Sequence, residues 1–364
     1  MDSKNKIGII ELLALSFSIF IAAFPSFGTS MILNYAKESS LISLFLGYII
    51  GIVPLLIILY IAKHLENKNI FEVNKEKFKV LGSVINFFYI VVIIYTGFVT
   101  SWAVLNFTIS QLLIRTDYYV VAFVFFTILG YAVTKKIEII ARSNLILSII
   151  GTIIFFIVVL LLIPKVEIEN LFPIITETTK KNLFSTALII PSLTITPLIS
   201  ILCIKKSDIE NKEKYNKYII LGYILSFLVI STFIFLLLSI YGAKMAEILF
   251  YPEYFLFKKI KAFEFITRIE NNAAFLIYIC YFGNMCMLIT FVKIYLEKAL
   301  KLKKEKNINI LTYVTTLIVP LLSVYIFKKY DPIILITKYP LYVSVIFIVL
   351  LLNAILLFVN KKRT

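Results

Sequence analysis

A single histidine, three cysteines and only 21 acidic residues in a chain of 364 leave little material for side-chain chemistry. The histidine, His64, stands in a lysine-rich stretch, and Cys203, Cys280 and Cys286 lie in apolar runs without a CxxC spacing. Neither a metal site nor a disulfide framework is implied, and no cofactor is expected. No His, Cys or carboxylate constellation falls in the apolar runs, so an enzyme is not expected either. Charge is scarce too, at 16% of residues against about 25% in soluble domains. What fills the space is apolar: 60% of residues are hydrophobic, 15% are aromatic, and the mean hydropathy is +0.96. This composition excludes an ordinary cytosolic enzyme, a disordered chain and a nucleic-acid module, and it describes a membrane protein.

A bilayer core of about 30 Å needs roughly 20 apolar residues per helix. Ten runs qualify, at about 7–35, 40–62, 83–113, 118–134, 143–163, 183–204, 218–241, 272–292, 308–327 and 339–359. The first resembles a signal peptide in its opening but has no convincing cleavage site, so it is read as a retained helix. No Gly/Ser-rich linker separates the runs, and residues 1–364 read as one polytopic domain. Ten spans put both termini on one side. If that side is cytoplasmic, 24 of the 37 basic residues face inwards, which accounts for the net charge of +16 without a nucleic-acid partner.

Two runs carry breaks. Span one contains Phe24-Pro25-Ser26-Phe27-Gly28-Thr29-Ser30, and span six contains Pro191-Ser192-Leu193-Thr194-Ile195-Thr196-Pro197, where Thr196-Pro197 suits a helix restart. Hydrocarbon tolerates unpaired backbone only where protein or water covers it. Spans one and six are the first members of two five-span halves, 7–163 and 183–359, which must have opposite orientation because five is odd. The expected fold is therefore an all-α membrane protein of ten transmembrane helices, a 5+5 inverted repeat with helices one and six broken. In that arrangement half-helix ends meet near the midplane and can receive both a carboxylate and an ammonium group. The plainer alternative, that these prolines only kink ordinary helices, stays open.

The ligand-contact positions singled out are Pro25, Ser26, Phe27, Gly28 and Thr29 from span one and Ser192, Thr194 and Thr196 from span six. Tyr95, Thr100 and Trp102 in span three and Tyr281 and Asn284 in span eight add polar or aromatic groups at mid-span depth, where packing between helices is the competing explanation. Glu11 and Arg142 lie near the same membrane face; paired, they would form a gate, and unpaired each is an ordinary interfacial charge. Arg268 and Glu270, beside Asn271 and Asn272, either tether the loop 242–271 or are solvated helix-end charges. The aromatics of that loop, including Tyr251, Tyr254 and Phe257, read chiefly as an interfacial belt, or alternatively as a lid.

Several stretches resemble one family: the Pro25 break close to the N-terminus, Glu138-Ile139-Ile140-Ala141-Arg142 before span five, Asn170-Leu171-Phe172-Pro173-Ile174 before span six, and FYPEYFLFKKIKAFEFITRIENN at 250–272. The chain resembles the spore germination permease-like B subunits of germinant receptors, a branch of the amino acid-polyamine-organocation superfamily. Thr267 stands where the family's ERxE-like element has its first Glu, and Ala22-Ala23 stand where a glycine is usual before the break. The second departure shifts the expected ligand contact to Ser26–Thr29. The resemblance implies a nutrient sensor in the inner membrane of a bacterial endospore, partnered by an A-type membrane subunit and a C-type lipoprotein. An ion-coupled amino acid transporter and a scaffold subunit with a vestigial pocket are the competing readings. No carboxylate lies at the centre of any span, which favours sensing over proton-coupled pumping.

Overall fold

The computed structural model describes residues 6–260, 269–329 and 332–361. Helices follow one another in the order the apolar runs predict. Span one is α1 (Ile9–Ile21) and α2 (Thr29–Ala36), joined by a π-helical segment at Phe24–Gly28. Spans two to five are α3 (Ser40–Ala62), α4 (Ile70–Phe107), α5 (Tyr118–Thr134) and α6 (Ile137–Leu162). Span six is α7 (Glu177–Leu198) and span seven α8 (Tyr215–Ala246), followed by the short α9 (Pro252–Lys258); α10 (Ile269–Ala299), α11 (Glu305–Lys329) and α12 (Pro332–Lys361) complete the ten. Among the described residues, eight stretches are long and apolar enough to cross a membrane, one of them running α2 into α3, while the apolar α1 and α5 are shorter. Among the described residues the only β-bridge is an isolated parallel one between Ile7 and Ile209.

The apolar runs also explain which surfaces meet. Ile146, Ile149, Ile153, Phe156, Ile157 and Leu160 on α6 all point outwards, as do Val345, Ile348, Leu351 and Ile355 on α12. Such a face is stable only against hydrocarbon, and helices are the structures that satisfy their own backbone there. Inside, helix association in lipid relies on close approach at small residues. Helix α1 is packed against α6, α7, α8 and α10, which places it at the centre of the bundle. A Cβ at Gly222 of α8 would lie 2.6 Å from Ser16 Oγ, and one at Gly283 of α10 would lie 3.0 Å from Ser18 Cβ, so these glycines set how closely the neighbours approach α1.

Helix α4 differs in detail from the long span expected at 83–113. It starts at Ile70, where Asn69 caps it: the Glu72 N–H donates to Asn69 Oδ1 (3.2 Å) and the Asn69 N–H to Glu72 Oε2 (3.0 Å). The chain then turns at Lys79, whose φ is +49°, and runs on through a π-helical end at Thr108–Leu112. Gly82 permits that turn, because a Cβ there would sit 1.9 Å from the Asn74 carbonyl oxygen.

Span six carries its discontinuity in a different form and place from the expected one. Helix α7 continues through Pro191 and Pro197 to Leu198, then tightens to a 3-10 helix over Ile199–Cys203. The helix restart expected at Thr196-Pro197 is corrected: the change of helix type comes just beyond Pro197. At Pro191 a neighbouring helix comes close to the carbonyl that the proline leaves free. Pro191 offers no N–H to the Ala187 carbonyl four residues earlier, and α3 approaches that carbonyl at Gly47. A Cβ at Gly47 would be 2.8 Å from Ala187 O and 2.6 Å from Ile190 Cβ.

Gly47→Ala is therefore expected to destabilise the purified protein by about 1–3 kcal/mol through forced separation of α3 and α7. Gly97→Ala, whose nearest neighbour would be Val319 Cγ1 at 3.9 Å, is expected to stay within about 0.5 kcal/mol of the wild type. Thermal unfolding in detergent checks both.

Candidate functional site

Pro25 has no N–H to give the Ile21 carbonyl, so the α-helical ladder of span one cannot continue past it. The chain responds by widening its turn. The Gly28 N–H donates to Ala23 O at 2.8 Å and the Phe27 N–H reaches the same oxygen at 3.4 Å, while the Thr29 N–H donates to Phe24 O. Only glycine fits at position 28, since a Cβ would lie 2.9 Å from Ala23 O and 3.3 Å from Leu193 Cδ1 of α7. The break in span one thus abuts span six, as the proline pattern predicts.

Polar groups around this break divide into two kinds. Some are satisfied by the protein itself: Ser192 Oγ donates to Pro340 O at 3.3 Å, Thr194 Oγ1 to Ile190 O at 3.0 Å, and Thr100 Oγ1 to Thr96 O at 2.7 Å. Phe27 meets Tyr339 edge-on at 5.8 Å, Tyr95 stacks on the same ring at 5.8 Å, and Trp102 stacks on Phe327 of α11 at 4.6 Å. Others are buried with nothing to bond. Thr29 Oγ1, Thr196 Oγ1 and both Asn284 side-chain atoms have no hydrogen-bond partner, and each of these residues is at most 1% exposed. Leaving one such group unpaired costs about 1–3 kcal/mol, so a fold that keeps several, on α2, α7 and α10, is built to receive polar atoms from elsewhere. Tyr281, on the same helix as Asn284, is fully buried. Pro25 is half-buried and lines a cavity with Thr29; the side chains of Ser26 and Glu270, and all of Arg268, lie outside the described residues.

Sequence reasoning missed one residue here. Glu253 of α9 is 3% exposed, and its Oε2 has no partner. It lines a cavity of about 40 Å³ with Phe24, Pro25 and Thr29 of span one, Ile230 and Phe233 of α8, and Ile277 and Cys280 of α10. Burial pushes its carboxyl up to about 7, against a weaker opposing pull from the Thr29 hydroxyl and its own backbone. The signal in the sequence is an acid set among aromatics, Phe250-Tyr251-Pro252-Glu253-Tyr254-Phe255, with no base before Lys258. A larger groove of about 640 Å³ between α1, α6, α8 and α10 opens on the outer surface, where Ile149, Ile153 and Phe156 are exposed, and its walls are apolar apart from a few hydroxyls such as Ser18, Ser148 and Thr232, so little in it would orient a polar molecule.

Both ends of span one are covered. On the N-terminal face, Arg142 Nε lies 3.3 Å from Glu11 Oε1, Glu11 Oε2 accepts from the Gly8 N–H at 2.8 Å, and Arg142 Nη2 donates to Lys6 O at 3.4 Å. The two charges form the pair that the sequence left open. Their side chains are 42% and 16% exposed, so the pair itself contributes only about 0–1 kcal/mol. More of the closure is backbone: the Ile7 N–H donates to Asp208 O (2.8 Å), the Glu210 N–H to Ile7 O (2.9 Å), and the Lys206 N–H to Leu65 O (2.9 Å). On the opposite face α9 packs inwards. Tyr251 and Tyr254 are 3% exposed and Phe257 1%, Phe107 is flanked by Tyr251 and Tyr254, and Lys37 Nζ holds Glu247 Oε2 at 2.8 Å. The belt reading of these aromatics is corrected for the buried ones: they cover the bundle and do not face lipid. Phe250, 37% exposed, remains outside, and Phe263 and Phe265 lie outside the described residues.

Comparison with known proteins agrees with this geometry. A family model described as "Spore germination protein" matches residues 6–332. Among solved structures, a nucleobase-cation-symport-1 family transporter, in a closed conformation with bromovinylhydantoin bound, aligns with a TM-score of 0.64 and 13% identity. The alignment covers 88% of this chain and 75% of that one. At that identity the likeness is one of fold, the inverted-repeat transporter architecture expected from the two five-span halves. No curated protein matches.

Asn284→Leu is expected to raise thermal stability by about 1–3 kcal/mol, because it replaces two unpaired buried groups with apolar surface of similar size. Thermal unfolding in detergent checks it.

Proposed function

The chain belongs to the family of spore germination proteins, and on that premise we propose that it is a nutrient-germinant receptor subunit. It binds a small nutrient, an amino acid, at the break in span one and signals through conformation to an A-type membrane subunit and a C-type lipoprotein in the spore inner membrane. The observation that supports this most is the set of unpartnered buried groups, Thr29, Thr196 and Asn284, around a helix break closed at both ends. An amino acid's carboxylate would take the Thr196 and Asn284 donors, and its ammonium group would lie beside the break, where Pro25 leaves the Ile21 carbonyl without its α-helical donor. With both termini in the cytoplasm, as the basic residues suggest, the Glu11–Arg142 pair is the inner gate and α9 the outer cover. A ligand shifts the balance between open and closed forms only by binding one of them better. The closed form has the completed site, so occupancy would favour closure and carry the signal.

Ion-coupled transport of an amino acid is the second reading, and the fold shared with a symporter favours it. The two separate in reconstitution: uptake of labelled amino acid into proteoliposomes holding this chain alone supports transport, and its absence supports sensing.

Gly28→Val would place side-chain atoms against Ala23 O and Leu193. Spores carrying it, with subunit levels unchanged by immunoblot, are expected to need at least about tenfold more nutrient, equivalent to about 1.4 kcal/mol of lost binding. An unchanged dose response would remove the break from the binding site.

A further inference from the structure

The cavity beneath α9 contains a buried carboxyl group with no basic side chain beside it. Glu253 is drawn out of the outer loop into the bundle, and its Oε2 lines this cavity with no partner. Thr29 Oγ1, 1% exposed, lines the same cavity close enough to pull weakly on that carboxyl, but it has no hydrogen bond of its own there. Among the described lining residues there is no Lys, Arg or His and no second carboxylate; Cys280 of α10 is the only other titratable group, and those from α8 are Val229, Ile230 and Phe233. An ionised carboxylate buried without a counter-charge is costly, and proteins retain one where a cation completes it.

The chemistry of the walls restricts that cation. Three side-chain oxygens in an otherwise apolar chamber, two from Glu253 and one from Thr29, are too few for a dehydrated metal ion, which needs about six oxygen ligands. They suit a group that brings its own hydrogen-bond donors and an apolar substituent. A primary ammonium has three N–H donors, and the cavity offers the Glu253 carboxylate and the Thr29 hydroxyl as acceptors. Phe24, Phe233 and Phe257 add aromatic walls, which attract cations when water is excluded. The volume of about 40 Å³ exceeds the 10–15 Å³ that one water-sized group requires. Cys280 and Asn284 are one turn apart on α10, so a small molecule held at Glu253 by one end would point its other end towards the unpartnered Asn284 amide.

We propose that Glu253 and Thr29 form the subsite for the protonated amine of the nutrient, so that the ligand class is restricted to small molecules carrying a primary ammonium group. This rests on the reading of the chain as a nutrient receptor and adds the residue that reads the ligand's charge. Because α9 supplies Glu253 and span one supplies Thr29, an ammonium group there joins the outer cover to the broken helix, which gives occupancy a direct hold on the outer end of the bundle.

The test uses the purified full chain in nanodiscs and thermal shift as the readout, with the standard L-amino acids as probes, each beside its N-acetyl derivative. At pH 8 at least one free amino acid is expected to raise the melting temperature and its acetylated form is not. Glu253→Gln, which preserves volume and neutral hydrogen bonding, is expected to melt no lower than the wild type and to bind that amino acid at least about tenfold more weakly, or about 1.4 kcal/mol. Below pH 7, where Glu253 gains its proton, wild-type affinity is expected to fall by up to about tenfold per pH unit, and the variant's affinity to stay flat. Equal binding of free and acetylated ligands, or equal affinity in wild type and variant, would overturn the ammonium subsite while leaving the receptor reading in place. Failure of every probe to bind the wild type would overturn both.

Discussion

One missing hydrogen governs the centre of this molecule. Pro25 cannot donate to the Ile21 carbonyl, and in a bilayer there is no solvent to repair the loss, so the chain must rearrange its own backbone. It does so with a π-type turn in which Ala23 O is approached by two N–H groups. That turn works only if position 28 has no side chain, and it ends span one's first half where α7 and α10 can close around it. The central position of α1, the glycines at its contacts and the unpaired groups at Thr29, Thr196 and Asn284 all follow from a helix that has to be interrupted in hydrocarbon and covered by its neighbours.

Closure at the two ends rests on different physics. At the N-terminal face it is mainly backbone pairing, with Ile7, Leu65 and the 206–210 segment laced together and a partly exposed ion pair above them. Such contacts are individually weak and can be exchanged, which suits a gate. At the opposite face α9 buries aromatic surface and one acid. That end is held by packing, so opening it means exposing Tyr251, Tyr254 and Phe257 together. A molecule satisfying groups on both α9 and span one would bias that step, and it would do so without any change in the scaffold of α3, α6 and α12.

Much of the fold was legible because hydrocarbon imposes simple rules on sequence: ten apolar runs, their spacing and the Pro25–Gly28 signature each correspond to an observed element. The form of span six was not. Pro191 and Pro197 signal an interruption, but the glycine that accommodates the freed Ala187 carbonyl, Gly47, is on another helix, and nothing local to Pro191 reveals it. Of the candidate site, Thr29, Thr196 and Asn284 could be read from polarity at mid-span depth, and Gly28 from its place after Pro25. Trp102 could be read too, although the structure stacks it on Phe327. Glu253 was hidden because an acid in a loop ordinarily means solvent; only the aromatic density around it, and the three-dimensional fact that α9 folds inwards, distinguish it from an exposed charge.

The central claim is that nutrient occupies the break in span one and orders it. Hydrogen–deuterium exchange of the full chain in nanodiscs, with and without a germinating nutrient, measures this at the backbone itself. Slower exchange in peptides covering residues 22–30 and α9 on adding nutrient is the expected result. Unchanged exchange there, with protection appearing only elsewhere in the chain, would contradict it.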